Sequence, residues 1–398
     1  MILIGTKNRV VYKTLITLTI AQAFASTGAP IVVLLGGIVG TALAPQADLV
    51  TLPVALMIVG TASTTIPAAL FMSRFGRKAG FMFAASYSCL AGLLAAFAIS
   101  IESFALFCLA TFMVGSHNAF IQQYRFAVAE SVPPEKVGQS LSVVMLAGVA
   151  AAFMGPEAAQ RFQDESAMGE FAGSFMGLSA FMLVTLAILT FYRNLDMKDD
   201  IVEAEPRPLL TIVRQHTFLV AIGASVVAWC VMSLMMTATP VSMHSFDHFN
   251  LEDTAWVIQS HIMAMFLPSL FSGFLISRFG PVKIIAAGLA LLFACLAVAW
   301  LDRQLMHYWW ALVLLGVGWN FLFLGGTTLL TSTYRPAERF KVQALNDFIV
   351  FSMQAIAALG SGFILVQFGW NWIVGLSLPI LLLLIPVLFF TRGRLALT

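Results

Sequence analysis

Apolar runs of about twenty residues recur along the whole chain, and this pattern limits the fold more than any other feature of the sequence. A helix of that length crosses the hydrocarbon core of a bilayer, which is about 30 Å thick. The runs are too long and too uniformly apolar for the alternating strands of a membrane barrel. Because we count twelve such runs, the sequence predicts an all-α membrane protein with 12 transmembrane helices. Spans one to twelve are predicted at residues 13–40, 50–73, 79–100, 104–129, 139–160, 171–192, 215–243, 253–276, 282–301, 308–332, 342–367 and 370–391.

The composition excludes an ordinary soluble protein. Of the 398 residues, 60% are hydrophobic and only 10% are charged. The net charge of +2 is spread over short loops, so neither a nucleic-acid partner nor a basic lipid-binding patch is predicted. Membrane lipid is therefore the expected surroundings of most of the surface.

The Lys and Arg residues are distributed unevenly between the two sides of the predicted membrane. If the N-terminus is cytoplasmic, all of the 21 except Arg161 and Arg303 fall in cytoplasmic segments. Basic residues prefer the cytoplasmic loops of membrane proteins. The distribution therefore predicts that both termini are cytoplasmic, which agrees with an even number of spans.

An internal repeat divides the chain. Ser73-Arg74-Phe75-Gly76 recurs about half the chain length later as Ser277-Arg278-Phe279-Gly280, and Gly115 and Glu135 have candidate counterparts in Gly318 and Glu338. The most polar interior segment lies at mid-chain. We therefore predict an N-terminal six-helix half (1–192), a cytoplasmic linker (193–214) and a C-terminal six-helix half (215–398).

The loop after span two resembles the signature of the major facilitator superfamily. That signature is a Gly, three residues, then Asp-Arg-x-Gly-Arg and a basic residue, whereas this chain has Ala69, three residues, and Ser73-Arg74-Phe75-Gly76-Arg77-Lys78. The departures at Ala69 and Ser73 put the family's acidic latch in doubt. The resemblance implies two pseudo-symmetric six-helix bundles and alternating access, with the signature residues acting in gating: Arg74, Gly76, Arg77, Arg278 and Gly280, with Glu130 as a candidate partner.

Shorter phrases are similar to bacterial riboflavin-transporter-like permeases of the superfamily. They are Tyr124-Arg125-Phe126-Ala127, Val257-Ile258-Gln259, Gly325-Gly326-Thr327-Thr328 and Leu345-Asn346-Asp347-Phe348. This similarity implies a location in the bacterial inner membrane and a small, partly aromatic solute as cargo.

Polar side chains inside spans are candidates for substrate contact, because they are costly in lipid and face the interior. We select Gln22, His117, Asn118, Gln122, Gln259, His261, Trp319 and Asn320. Asn118, Gln122 and Arg125 share one helical face at i, i+4 and i+7. Arg125, near the cytoplasmic end of span four, is a candidate for gating and not for substrate contact. His117 and Asn320 occupy related positions in the two halves and are expected to face a shared cavity; the alternative is hydrogen bonding between helices.

Two titratable residues are candidates for coupling transport to protons. His261 titrates near neutral pH when its surroundings are ordinary, although a histidine satisfied inside the protein is an equally good interpretation. Asp347 lies near the start of span eleven, where we expect a gating salt bridge with Arg339 or the basic loop after span two. A proton relay and simple helix capping are the alternatives for Asp347.

No enzyme, metal or cofactor chemistry is predicted. The sequence has no phosphate-binding loop and no spaced metal ligands, and its cysteines sit inside predicted spans. We therefore expect a monomeric secondary active transporter coupled to protons, with facilitated diffusion of the solute as an alternative. The open alternatives are proton-driven efflux of drugs or metabolites and a transport-inactive membrane sensor or assembly factor.

Overall fold

The computed structural model describes residues 2–46, 49, 52–162, 168–193 and 205–392. In this described part of the chain twelve helical segments are long and apolar enough to cross a membrane, which confirms the predicted number of spans. The helices are α1 Ile2–Ala25, α2 Gly28–Leu43, α3 Leu52–Phe75, α4 Arg77–Ser100, α5 Phe104–Ile121, α6 Tyr124–Ala129, α7 Val137–Arg161, α8 Ala172–Thr190, α9 Leu209–Val213, α10 His216–Val241, α11 Leu251–Phe266, α12 Ser269–Phe279, α13 Pro281–Leu301, α14 Leu305–Thr331, α15 Arg339–Phe368 and α16 Trp370–Arg392.

Three predicted spans are each built from two helices. Span one is interrupted at Thr27, whose hydroxyl donates to the carbonyl oxygen of Phe24 at 2.7 Å, three residues before Pro30. Span four is interrupted at Gln122 and span eight at Pro268. A proline has no N–H for the helical ladder, and such interruptions need side-chain or packing support.

The chain forms two compact units that depart from a simple division at mid-chain. The first unit comprises Met1–Val132, Val144–Ala204 and Gln343–Phe348. The second comprises Pro133–Val143, Glu205–Val342 and Ile349–Thr398. The start of α7 thus belongs with the second unit, and a short stretch of α15 belongs with the first.

The core of the first unit is built from small residues and a few aromatic rings. Ala91 and Ala95 of α4 are buried with Phe107 and Phe175, whose rings meet edge to face at 5.3 Å. Gly115 permits the closest approach, because a Cβ there would lie 1.9 Å from a backbone oxygen of α3. Small residues let helix backbones approach closely where lipid supplies no hydrophobic drive for helix association.

The repeated loops have the same backbone conformation in both units. Gly76 has φ 84° and ψ 160°, and Gly280 has φ 84° and ψ 152°; each ends one helix and caps the next. Only glycine adopts this region without strain. The tight turn expected at these positions is therefore present twice.

The other two repeat correspondences differ in the structure. Gly115 packs on α3, whereas Gly318 packs on α13; the glycine of α14 that packs on the span-eight helix is Gly316. Glu135 is exposed and Glu338 is buried. By its packing the counterpart of Gly115 is therefore Gly316 and not Gly318. Residue identity alone did not show this, because helix packing determines which positions of the two halves correspond.

The end of α10 in the second unit is held by a polar cluster. Its last turn continues into the π-helical turn Ser242–Phe246. The Ser242 and Tyr308 hydroxyls lie 2.6 Å apart, Tyr308 donates to Asp247 at 2.7 Å, and Arg303 lies 3.2 Å from that carboxylate. These contacts join the end of α10 to the start of α14.

Candidate functional site

A charged network lies inside the first unit at the end of α5 and α6. The Arg77 guanidinium donates to both oxygens of Glu130, at 2.8 and 2.9 Å, and to the Gln343 side chain at 3.0 Å. Gln343 in turn donates to Glu130 at 2.6 Å. The sequence suggested the contact between Arg77 and Glu130, but it offered no reason to add Gln343.

The same network continues to Asp347 on α15. Asp347 is fully buried and pairs with Arg125, which is 4% exposed. Asn346 donates to the same carboxylate at 3.0 Å. The sequence predicts a gating role for Arg125 but does not predict it as the partner of Asp347; the partners expected for Asp347 are Arg339 and the loop after span two.

Gln123 joins the two ion pairs. Its side-chain oxygen accepts from Arg77 at 3.4 Å and its amide donates to Asp347 at 2.9 Å. The network therefore runs from Glu130 through Arg77, Gln123 and Asp347 to Arg125. Two charges of each sign balance inside it, which offsets part of the cost of burying them.

The network is positioned by helix spacing and by the interruption of span four. Gln343 and Asp347 are one turn apart on α15, so both side chains lie on one face. On the other side α5 passes into α6 through Gln122 and Gln123, whose backbones keep right-handed helical angles. Asn118 and Gln122 are half-buried, whereas Arg125 is buried.

Two other predicted site residues of the first unit carry polar atoms without a protein partner. His117 is 1% exposed, and its Nδ1 has no hydrogen-bond partner among the described residues. The side-chain oxygen of Gln22 is also buried and has no hydrogen-bond partner among the described residues. Buried polar atoms are normally paired, so such atoms are candidates for contact with a ligand.

The side-chain amide of Asn320 in the second unit forms all of its hydrogen bonds with other groups of the protein. It accepts from Ser272 at 2.7 Å and donates to Ser269 and to the Met265 backbone, both at 2.8 Å. These bonds join α14 to α11 and α12. The geometry favours the alternative role, hydrogen bonding between helices, for this half of the pair of His117 and Asn320.

The two predicted residues of α11 differ in their surroundings. The Nδ1 of His261 lies 2.8 Å from the carbonyl oxygen of Leu312, so this nitrogen carries the proton when the ring is neutral. The Nε2 of His261 is then an acceptor, and it has no partner among the described residues. Gln259, two residues earlier, is exposed.

Trp319 lies at the centre of an aromatic cluster in the second unit. Its ring centroid is 5.1 Å from that of Trp229, 5.0 Å from Phe323 and 5.9 Å from Phe266. Trp229 also contacts Phe351 at 5.5 Å. We did not predict Trp229 from the sequence, because a single tryptophan in an apolar span is indistinguishable from a packing residue.

The basic residues of the repeated loops divide into two groups. Arg77 is buried in the network described above, whereas Arg74 and Arg278 are exposed. Arg74 lies 5.5 Å from the ring of Phe75, and Arg278 lies 5.7 Å from the ring of Phe279. Among the signature residues expected to act in gating, Arg77 therefore forms a buried ion pair, whereas Arg74 and Arg278 contact neighbouring aromatic rings.

The predicted linker is tied to the second unit at its C-terminal end. Residues 194–204 lie outside the described residues, but Arg207 donates from its side chain to both oxygens of Glu338, at 2.8 and 2.7 Å. The backbone N–H of Arg207 adds a third bond to Glu338 at 2.7 Å. This clamp raises the pKa of the Arg207 guanidinium above its ordinary value, mainly because the Glu338 carboxylate accepts its hydrogen bonds.

Comparisons with known proteins agree with this architecture. The sequence model of the Major Facilitator Superfamily matches residues 16–358 and 247–396. The riboflavin transporter RfnT of Brucella anthropi is 39% identical over 389 residues, covering 96% of this chain and 96% of that protein. The uncharacterized MFS-type transporter YddS of Bacillus subtilis is 29% identical and covers 98% of this chain and 93% of its own length.

Solved structures give the same picture at the level of the fold. The human organic anion transporter MFSD10 superimposes with a TM-score of 0.74 at 11% identity, over 95% of this chain and 99% of that chain. The resemblance drawn from the sequence motifs is therefore confirmed, as are the fold class and the prediction of a transporter, not an enzyme.

Proposed function

Because the chain belongs to the major facilitator superfamily and is a multi-pass membrane transporter, we propose that it imports a riboflavin-like solute by alternating access. The similarity to a riboflavin transporter along 96% of both chains is the observation that carries this proposal. The proposal places the protein in the bacterial inner membrane as a monomer surrounded by lipid. The distribution of its basic residues supports cytoplasmic positions for both termini.

We assign substrate contacts unit by unit, choosing residues with a buried polar atom that has no hydrogen-bond partner among the described residues. Gln22 and His117 are the candidates in the first unit, and His261 and Trp319 are the candidates in the second. A solute with several donors and acceptors satisfies such atoms, and a site built this way discriminates strongly against molecules that lack them. Asn118 and Gln122 remain proposed contacts.

Asn320 and Gln259 receive other roles. Every polar side-chain atom of Asn320 is used by α11 and α12, so we assign this residue to helix packing. Gln259 is exposed on α11. Neither residue offers a buried and unpaired group to a solute.

The ion-pair network of the first unit is our candidate for gating and coupling. A buried ion pair is a two-state element, since its charges must either stay together or both regain solvent. A proton on Asp347 removes the charge that holds Arg125 and weakens the link through Gln123 to Arg77. We therefore propose that proton binding at Asp347 opens this network and couples the proton gradient to transport.

Uptake of labelled riboflavin into proteoliposomes tests the proposal. We expect saturable uptake that an imposed inward proton gradient accelerates, and no uptake into liposomes without the protein. Release of a lipophilic dye against its gradient, without riboflavin uptake, would support efflux instead. Riboflavin binding without any transport in either direction would support a sensor.

The variant Asp347→Asn separates the cargo from the coupling. We expect it to bind riboflavin while the proton gradient no longer accelerates uptake. Acceleration equal to that of the wild type would leave the cargo assignment intact and refute the role of Asp347.

A further inference from the structure

The four tryptophans of the second unit that are not exposed to the surroundings fall into two classes. The indole N–H of Trp309 donates to the Ser260 hydroxyl at 2.8 Å, and that of Trp370 donates to the carbonyl oxygen of Ala299 at 3.1 Å. The indole nitrogens of Trp229 and Trp319 are buried, yet neither has a hydrogen-bond partner among the described residues. The unit therefore satisfies two of these N–H groups and leaves two others unpaired.

The two unpaired groups lie in contact. The rings of Trp229 and Trp319 meet edge to face, with centroids 5.1 Å apart and an interplanar angle of 88°. Phe323 contacts both rings, at 5.6 Å from Trp229 and 5.0 Å from Trp319. Both N–H groups thus belong to one aromatic cluster.

Packing does not explain why tryptophan occupies these two positions. The other members of the cluster, Phe266, Phe323 and Phe351, fill it with purely apolar rings. Tryptophan in place of phenylalanine adds a donor that loses its water on burial, which is unfavourable unless an acceptor is found. Buried tryptophans usually do find one, as Trp309 and Trp370 do here.

A bound solute is the missing acceptor that fits this cluster. The indole N–H is a donor only, so its partner must carry an acceptor atom. The surrounding rings favour a flat aromatic molecule that stacks on them. A tricyclic flavin ring has both properties, since its nitrogen and carbonyl acceptors lie along the edge of a planar system.

We propose that the indole N–H groups of Trp229 and Trp319 donate hydrogen bonds to acceptors on the edge of a planar heteroaromatic substrate. This inference rests on the proposed function and adds to it the two residues that recognise the edge of the ring by hydrogen bonds. Trp319 is 2% exposed, whereas Trp229 is half-buried, so Trp229 is the more accessible of the two rings.

The test replaces each tryptophan by phenylalanine, which keeps an aromatic ring and removes the N–H. The purified full-length protein in detergent is titrated into riboflavin, and quenching of flavin fluorescence gives Kd. We expect W229F and W319F each to weaken binding by about three- to tenfold, the typical value of one hydrogen bond. The controls W309F and W370F, which remove paired N–H groups, are expected to leave Kd unchanged.

Thermal unfolding of the same four variants provides a second, independent measurement. All four lose the same part of the ring, but W309F and W370F also lose a hydrogen bond within the protein. We therefore expect the two controls to lower the melting temperature more than W229F and W319F do. W229F and W319F are thus expected to change mainly Kd, whereas W309F and W370F are expected to change mainly the melting temperature.

The outcomes separate this inference from the proposed function. If wild-type protein does not bind riboflavin, the proposed cargo is wrong. If wild-type protein binds riboflavin and both W229F and W319F bind it equally well, the cargo stands and this inference is overturned. Weaker binding by the controls to the same degree also overturns it, because the effect is then one of general packing.

Discussion

Replacing Asp347 by asparagine perturbs the first unit at its most buried charge. The carboxylate accepts from Arg125 and Asn346 on one oxygen and from Gln123 on the other. Asparagine keeps the shape but turns one of these acceptors into a donor, and it removes the Asp347 charge from the ion pair with Arg125. Removing one partner of a buried ion pair costs about 3–5 kcal/mol.

The expected loss in the free energy of unfolding is measured by heating the protein in detergent and following the folded fraction by size-exclusion chromatography. For a chain of 398 residues, a loss of that size corresponds to a drop in melting temperature of about 4–6 °C. The matched control is Arg303→Gln, which removes the 51% exposed partner of Asp247. Exposed pairs contribute about 0–1 kcal/mol, so this control is expected to change the melting temperature little.

A double variant isolates the cause of the loss. Arg125→Gln combined with Asp347→Asn removes both charges, so it is expected to be more stable than Asp347→Asn alone. The reasoning is refuted if Asp347→Asn melts no lower than the Arg303→Gln control. It is also refuted if the two changes in the double variant simply add.

Three further predictions concern other parts of the chain. His117→Phe removes the unpaired imidazole nitrogen, so it is expected to raise the KM for riboflavin uptake by about three- to tenfold while the expression level stays normal. Gly115→Ala places a methyl group against a backbone oxygen of α3, so we expect little folded protein on chromatography, whereas Gly362→Ala, with nothing within 4 Å of its Cβ, is expected to express normally. Arg207→Gln removes charge-assisted bonds to the buried Glu338 carboxylate; we expect a loss of about 1.5–3 kcal/mol, seen as a lower melting temperature, and an unchanged midpoint would contradict the assigned clamp.

Much of the architecture followed from the sequence because it depends on local chemistry. Each span is defined by the transfer of its own side chains into hydrocarbon, so twelve could be counted without knowing how they pack. The turns at Gly76 and Gly280 depend on a backbone conformation that other residues avoid. Both features can be recognised within a window of a few residues.

Some partners in the candidate site could not be predicted in this way. Gln123 and Asp347 are distant in sequence, and no spacing rule relates them. Gln343 and Arg77, which also form a hydrogen bond, are likewise distant in sequence. A reader of the sequence could have noted that Gln343 and Asp347 share a helical face, but not which helix that face contacts.

The sequence by itself determined the class of protein, the number of membrane spans, the repeated glycine turns and the resemblance to the superfamily. Only the tertiary structure decided what each polar residue does, as the neighbours Trp319 and Asn320 of α14 illustrate. They point about 100° apart around the helix, so Asn320 bonds to α11 and α12 while Trp319 contacts Trp229 of α10. A helix that is apolar on all sides carries no pattern that sets its rotation, and packing against its neighbours therefore decides which side chains are used for structure and which remain available to a substrate.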